Sequence, residues 1–294
     1  MRHAVLAATA TIESAGGTAR DALVDGNRLR RMDRFGRSGV LAGSRALAAA
    51  GVAAAHSGGA PDPRFGVVVG SAFGCRDAVG RHAELVAAAA RVEDLAPSVF
   101  AATVHNAVAG ELAILFGLGG VAESLVSGRT AGLEALAFAA RRLAAGDADR
   151  VLVVGAEGID DAMRAAWARE RSGVALVESA AAVLLVASEE DEESLSKRGA
   201  VVFADAELGF DSVAQNEGVR GGGAAGEGGA AMERLGASGL WEIASDVGAA
   251  ASDATRRASA SPRAPGHSPS KKIRRYASLD VHGSRAAVTL AFFS

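Results

Sequence analysis

The chain has 294 residues, 49% of them hydrophobic and 22% charged, with 37 glycines and 6 prolines; this composition excludes disordered, collagen-like and disulfide-stapled classes. Basic and acidic side chains number 31 and 34, a formal charge of −3, so no global field points to nucleic acid or to an anionic membrane surface. The single cysteine, Cys75, forbids an intrachain disulfide, and with no Cys-x-x-Cys pair among 6 scattered histidines a structural metal site is not expected.

On a prior of about 150 residues per domain this is one large domain or two closely packed halves. The opening MRHAVLAATATIE breaks on Thr and Glu before any cleavage signature, and no run of about 18 uncharged apolar residues follows. The expectation is a cytoplasmic protein that neither enters nor crosses a membrane.

Residues 4–12 read as a short buried strand and residues 33–50 as a helix stopped by Gly51. Residues 65–69 (FGVVV) are a fully buried strand of parallel type, followed by an alanine-rich helix over 78–92. A second apolar helix covers 106–116, Gly119-Gly120 breaks it, a strand covers 121–126, and a helix over 132–145 ends at Gly146. Residues 151–154 (VLVV) and 180–187 (AAAVLLVA) are further buried strands, and EEDEES is a solvated acidic loop. Then come a strand over 200–210, a glycine-rich connection over 215–230, a helix over 240–259, a linker over 259–272, and a closing hairpin of 273–281 and 285–293 about His282-Gly283-Ser284.

Strands alternating with helices predict a layered α/β fold with a mostly parallel sheet. The ending of the first half recurs in the second, so the expected division is a complete half over 1–198 and a shortened half over 199–294; a plain doubly wound nucleotide-binding domain is the competing reading. Three glycine-rich spots, GSAFG, GAEG and GVRGGGAAGEGG, offer backbone for phosphate, but none spells a dinucleotide or P-loop fingerprint, and no G-x-S-x-G elbow is present.

The informative stretch is SGRTAGLEALAFAARRLAAGDADRVLVVGAEG, residues 127–158, a tight turn feeding a helix, a strand and another glycine turn. It resembles the nucleophile segment of the β-ketoacyl synthases of the thiolase superfamily. RRMDRFGRSG, GVVVGSAFG, PSVFAATVHNAVAGELAILFGLGG, RSGVALVESAAAVLLVAS and SKRGAVVFADAELGF are similar to segments of the same family in the family's order. The resemblance implies a thiolase-like layered αβαβα fold. It also implies chemistry on substrates carried by acyl carrier protein, with no further cofactor.

In that family an A-C-x-S-G turn sets a cysteine at a helix N-terminus, where the dipole lowers its pKa and backbone N–H groups receive the thioester oxyanion. Here Arg129 stands at the cysteine's position, and a permanently protonated donor cannot be that nucleophile. The family's H-G-T-G-T loop has no counterpart, and its second histidine is replaced in ERLGASGLWE by Leu235 before Gly236. Loss of the nucleophile with retention of the fold resembles the chain length factors of type II polyketide synthases, whose Q-A-G-G-L-D-A-L turn is similar to GRTAGLEAL; VHNAVAG is similar to short ketosynthase-like proteins of polyene-type systems. The resemblance implies a subunit inactive alone, paired as a heterodimer with a cysteine-bearing ketosynthase in polyketide, polyene or fatty-acid-like elongation on acyl carrier protein. A divergent acyltransferase using Cys75, Ser127 or Thr130 is the alternative enzyme reading, and a scaffold without an acyl tunnel is a third.

Arg129 opposes the helix dipole at a cost of about 0.3–1 kcal/mol, so a carboxylate such as Glu123 or Glu157 is expected beside it; the other reading is that it binds a malonyl carboxylate. Cys75 is expected to be a small packed residue. His105 and Asn106 are expected to cap and pack the helix they open. Val108, Leu112 and Phe116 share one helix face at i, i+4 and i+8 and would ordinarily be core. The resemblance gives that face a second use, lining a subunit interface and acyl tunnel, with Phe100 and Phe116 as the bulky residues that end it.

Overall fold

The computed structural model describes residues 2–13, 24–55, 60–170, 174–197, 200–210, 231–233, 237, 240–247, 249, 271–279 and 284–293. In chain order these form β1 (His3–Glu13), α1 (Gly26–Arg30), α2 (Arg34–Ala49), β2 (Phe65–Ser71), α3 (Arg76–Ala88), α4 (Pro97–Phe100), α5 (Ala107–Phe116), β3 (Ala122–Val126), α6 (Ala131–Ala145) and β4 (Arg150–Glu157). There follow α7 (Asp161–Glu170), β5 (Val174–Leu176), β6 (Ser179–Ser188), α8 (Glu192–Lys197), β7 (Val201–Phe210), β8 (Ala231–Glu233), a helix α9 over 240–247, β9 (Lys271–Leu279) and β10 (Ser284–Phe293).

Eight strands form one sheet in the order β3-β2-β4-β6-β1-β7-β10-β9. Within this sheet only the β2–β3 and β2–β4 pairs are parallel; β4–β6, β6–β1, β1–β7, β7–β10 and β10–β9 all run antiparallel, while β5 and β8 form a separate parallel pair. The expectation of a mostly parallel sheet is therefore corrected. Strands such as β6 (SAAAVLLVAS) are buried on both faces at their centre, and a continuous apolar run of that kind carries no mark of direction. The join between β1 and β7 is short, Val5 with Val202 and Leu6 with Val201.

Apolar side chains on both faces of the sheet dictate helices on both sides. On one face, α2 and α5 bury Phe35, Val40, Leu47, Val108 and Leu112 against Val67, Val69, Leu152 and Val154. On the other, α6 buries Leu133, Leu136 and Leu143 against Val68, Val151, Val153 and Val183, and its far side meets Val288 and Leu290 of β10 and Leu240 and Ile243 of α9. The helix α6 is thus enclosed between β2–β4–β6 and the β7–β10–β9 strands, while Leu195 of α8 packs outside on Val202 and Ala291. The layers run helix, β2–β4–β6 limb, helix, β7–β10–β9 limb, helix, the two limbs belonging to the one sheet, and α6 is the central layer.

Several boundaries differ from the sequence reading. Lys271 and Lys272, read as linker, pair with Phe293 and Phe292 as the start of β9. The tail of the acidic EEDEES segment opens α8, which Leu195 anchors in the core. The glycine-rich connection over 215–230, linker residues 259–270, His282-Gly283, Leu235 and Gly236 lie outside the described residues. No helix among the described residues is long and apolar enough to cross a membrane.

Candidate functional site

The parallel strands β2, β3 and β4 end together at Ser71, Val126 and Glu157, and in open α/β sheets the carboxyl ends of such strands are where sites form. Into this edge runs the turn Ser127–Gly128–Arg129–Thr130 that starts α6. Thr130 is fully buried; its Oγ1 donates to the Ser127 carbonyl at 3.0 Å and is also hydrogen-bonded to the Glu134 carboxylate. These contacts fix the turn. They leave Arg129 only 9% exposed, within a turn packed against β9 and β10.

Of the two carboxylates expected beside Arg129, Glu123 is exposed on β3. Glu157 is fully buried and accepts hydrogen bonds from Ser71 Oγ at 3.1 Å and from the Ala72 N–H. Ser71 Oγ in turn accepts from the Gly74 N–H at 2.8 Å. The GSAFG turn is thereby clamped to the end of β4 through Ser71 and the Ala72 and Gly74 N–H groups.

Beyond that clamp, Gly74 (φ +58°) turns the chain into Cys75 at the start of α3. A Cβ on Gly74 would lie 2.3 Å from His105 Nδ1, so glycine is required for the ring to approach. Cys75 is completely buried, its thiol donates to the Thr103 carbonyl at 3.0 Å, and its Sγ is 3.4 Å from His105 Nδ1. Sequence spacing gives no signal for this pairing, since 30 residues separate the two. Burial pushes the thiol pKa up, and the negative Asp33 adds to the shift. A cysteine so placed is held as the thiol, the poorer nucleophile.

The remaining expected site residues separate. Val108 and Leu112 are completely buried and Phe116 is 6% exposed, all within the core between α2, α5 and the sheet. The helices meet closely because a Cβ at Gly43 of α2 would lie 2.9 Å from the Leu112 methyls. Phe100 is 59% exposed and packs edge-to-face with His82 at 5.7 Å between ring centroids. Asn106 is the N-cap residue of α5, but its side chain makes no capping hydrogen bond, which corrects the capping role expected of it.

The family model for the beta-ketoacyl synthase N-terminal domain matches residues 8–191. The chain is 30% identical over 203 residues to 3-oxoacyl-[acyl-carrier-protein] synthase 2 of Vibrio cholerae serotype O1, covering 62% of this chain and 47% of that protein. It is 30% identical over 198 residues to the protein of the same name from Vibrio harveyi, covering 60% and 46%. The chain spans about half the length of these curated relatives.

Among solved structures, its fold is similar to that of the ishigamide ketosynthase/chain length factor, with TM-score 0.69, 18% identity, and 99% and 100% of the two chains covered. It is similar in the same way to a ketosynthase structure described as a type II PKS acyl-carrier protein in complex with its ketosynthase bound to the hexaketide, at 0.65, 16%, and 99% of each chain. A beta-ketoacyl synthase from Burkholderia phymatum STM815 gives 0.64, 15%, and 100% and 98%. With the family model covering residues 8–191 and the layered fold shared along the chain, this protein belongs to the β-ketoacyl synthase family.

Proposed function

We propose that this chain is a non-catalytic, chain-length-factor-type ketosynthase subunit. It pairs with a cysteine-bearing ketosynthase to extend a polyketide, polyene or fatty-acid-like chain on acyl carrier protein. The observation that carries the reading is Arg129, buried in the turn that opens the central helix α6. Claisen condensation needs a thiolate there to hold the growing acyl chain and an environment that stabilises the enolate formed on malonyl decarboxylation. A guanidinium supplies no electron pair for the first task.

Pairing is supported by the sheet edge. β3 bonds only to β2 among the described residues, and Val126 on it is 42% exposed. An unpaired edge strand invites a partner. On the α3–α4 side Leu85, Val86 and Phe100 are 47%, 49% and 59% exposed, apolar area of the kind that an obligate pair covers.

The competing acyltransferase reading draws on the 3.4 Å approach of Cys75 and His105. It is weakened by complete burial of the thiol and by its raised pKa.

The test is co-expression with a cysteine-bearing ketosynthase, followed by a condensation assay with acyl- and malonyl-loaded carrier protein. Activity in the co-purified pair and none in this chain alone supports the proposal. Condensation by this chain alone overturns it.

A further inference from the structure

The sheet carries an internal repeat. From β1 outward the first limb runs β6, β4, β2 and β3, with β6 antiparallel to β1, β4 antiparallel to β6 and β2 parallel to β4. From β7 outward the second limb runs β10 and then β9, with β10 antiparallel to β7 and β9 antiparallel to β10. β9 thus stands in its limb where β4 stands in the other. Beyond it, in the place that β2 takes beside β4, there is no further strand among the described residues.

The two strands differ in their surroundings. β4, paired on both edges, is buried at every residue except Arg150. On β9 (KKIRRYASL) Lys271, Lys272, Ile273 and Arg275 are exposed, Ile273 at 62%. Tyr276 is buried on the α6 side, and its hydroxyl donates to Asp246 of α9 at 2.7 Å; Arg274 is paired with the same carboxylate. Ile273 lies beside Ala291, which packs outward against Leu195. Alternation along the strand therefore sets Lys271, Ile273 and Arg275 on the outer face and Lys272, Arg274 and Tyr276 on the inner one.

An edge strand presents a row of N–H and C=O groups on which another extended segment can add. Charge selects that segment. Four of the first five residues of β9 are basic and none of its nine residues is acidic. Like charges opposite one another destabilise a strand pair and unlike charges stabilise it, so a second copy of β9 is disfavoured and an acidic strand is favoured. Because Ile273 sits between Lys271 and Arg275 on the outer face, the complement there is a carboxylate, an apolar side chain and a carboxylate at every second position.

We propose that β9 is a docking edge for an extended acidic segment of another protein, which adds to the sheet parallel to β9 as β2 does to β4. Its pattern is Asp/Glu-x-apolar-x-Asp/Glu, the carboxylates lying beside Lys271 and Arg275 and the apolar side chain beside Ile273. The proposal does not rest on the subunit role proposed above.

The test uses the whole chain and the end-capped peptide Glu-Glu-Val-Thr-Glu-Val-Thr-Val-Thr, with binding read by fluorescence anisotropy and amide exchange across 271–279 read by NMR. The peptide is expected to bind and to slow the fast-exchanging set of β9 amides. Replacing its three glutamates by lysine is expected to weaken binding roughly tenfold or more, and Lys272→Glu to weaken it severalfold. Two further peptides, N-methylated at odd or at even positions, separate strand addition from electrostatic adhesion. The form whose blocked amides face β9 is expected to lose roughly tenfold or more in affinity, and the other form to keep most of it. No binding, equal affinity for the parent and both N-methylated peptides, equal affinity for the lysine peptide, or β9 amides that all exchange slowly before peptide is added would each overturn the proposal.

Discussion

Ser71 at the end of β2 donates its hydroxyl to Glu157 at the end of β4, 3.1 Å apart across two paired parallel strands, with Glu157 fully buried. The same hydroxyl oxygen accepts the Gly74 N–H, so one side chain ties the strand ends to the turn that leads to Cys75. Ser71→Ala removes a donor from a buried carboxylate and is expected to cost about 1–3 kcal/mol. Chemical denaturation of the variant, with the m-value unchanged, checks it.

Phe116 separates a core role from a tunnel role. It is 6% exposed and belongs to the cluster of α2, α5 and the sheet. Phe116→Ala is expected to cost about 3–5 kcal/mol through the cavity it leaves. A variant of unchanged stability that yields longer products in a reconstituted pair would instead make the ring a wall of an acyl tunnel.

Asp33 gives a pH dependence of definite sign. Its folded-state pKa is raised above the ordinary 3.8, chiefly by burial, so the folded chain holds that proton more tightly than the unfolded chain. This group's contribution to stability then falls as pH rises from 3.8 through the folded-state value. Asp33→Asn is expected to be more stable than the parent at pH 7, with the gap closing as pH drops towards 3.8. Thermal midpoints measured across that window check the sign.

Cys75 is expected to resist thiol reagents in the native state, because its thiol is buried and its pKa raised. Gly74→Ala forces a Cβ into the His105 ring at a positive-φ position. Displacing His105 is expected to speed labelling of Cys75 by maleimide severalfold. Equal rates in the parent and the variant would mean that His105 does not shield the sulfur.

The sequence shows the frame of this fold where burial is complete. Val67–Val69 and Val151–Val154 are apolar on both faces, and α2 follows the 3.6-residue period from its Asp33 cap. It does not show strand direction, because β6 is buried on both faces at its centre and such runs read alike in either sense. The short α1 and the polar α7 escaped the reading because neither carries an apolar stripe long enough to register. At the site, Arg129 was legible only through the resemblance of its flanking turn. The Cys75–His105 approach is a product of tertiary packing that no spacing encodes.

The most direct measurement is intact-protein mass spectrometry of this chain together with a cysteine-bearing ketosynthase, after incubation with an acyl-loaded carrier protein. With Arg129 on the turn that opens α6, the acyl mass is expected on the partner ketosynthase and none on this chain. An acyl adduct on this chain, at Cys75 or at any other residue, would contradict the non-catalytic role.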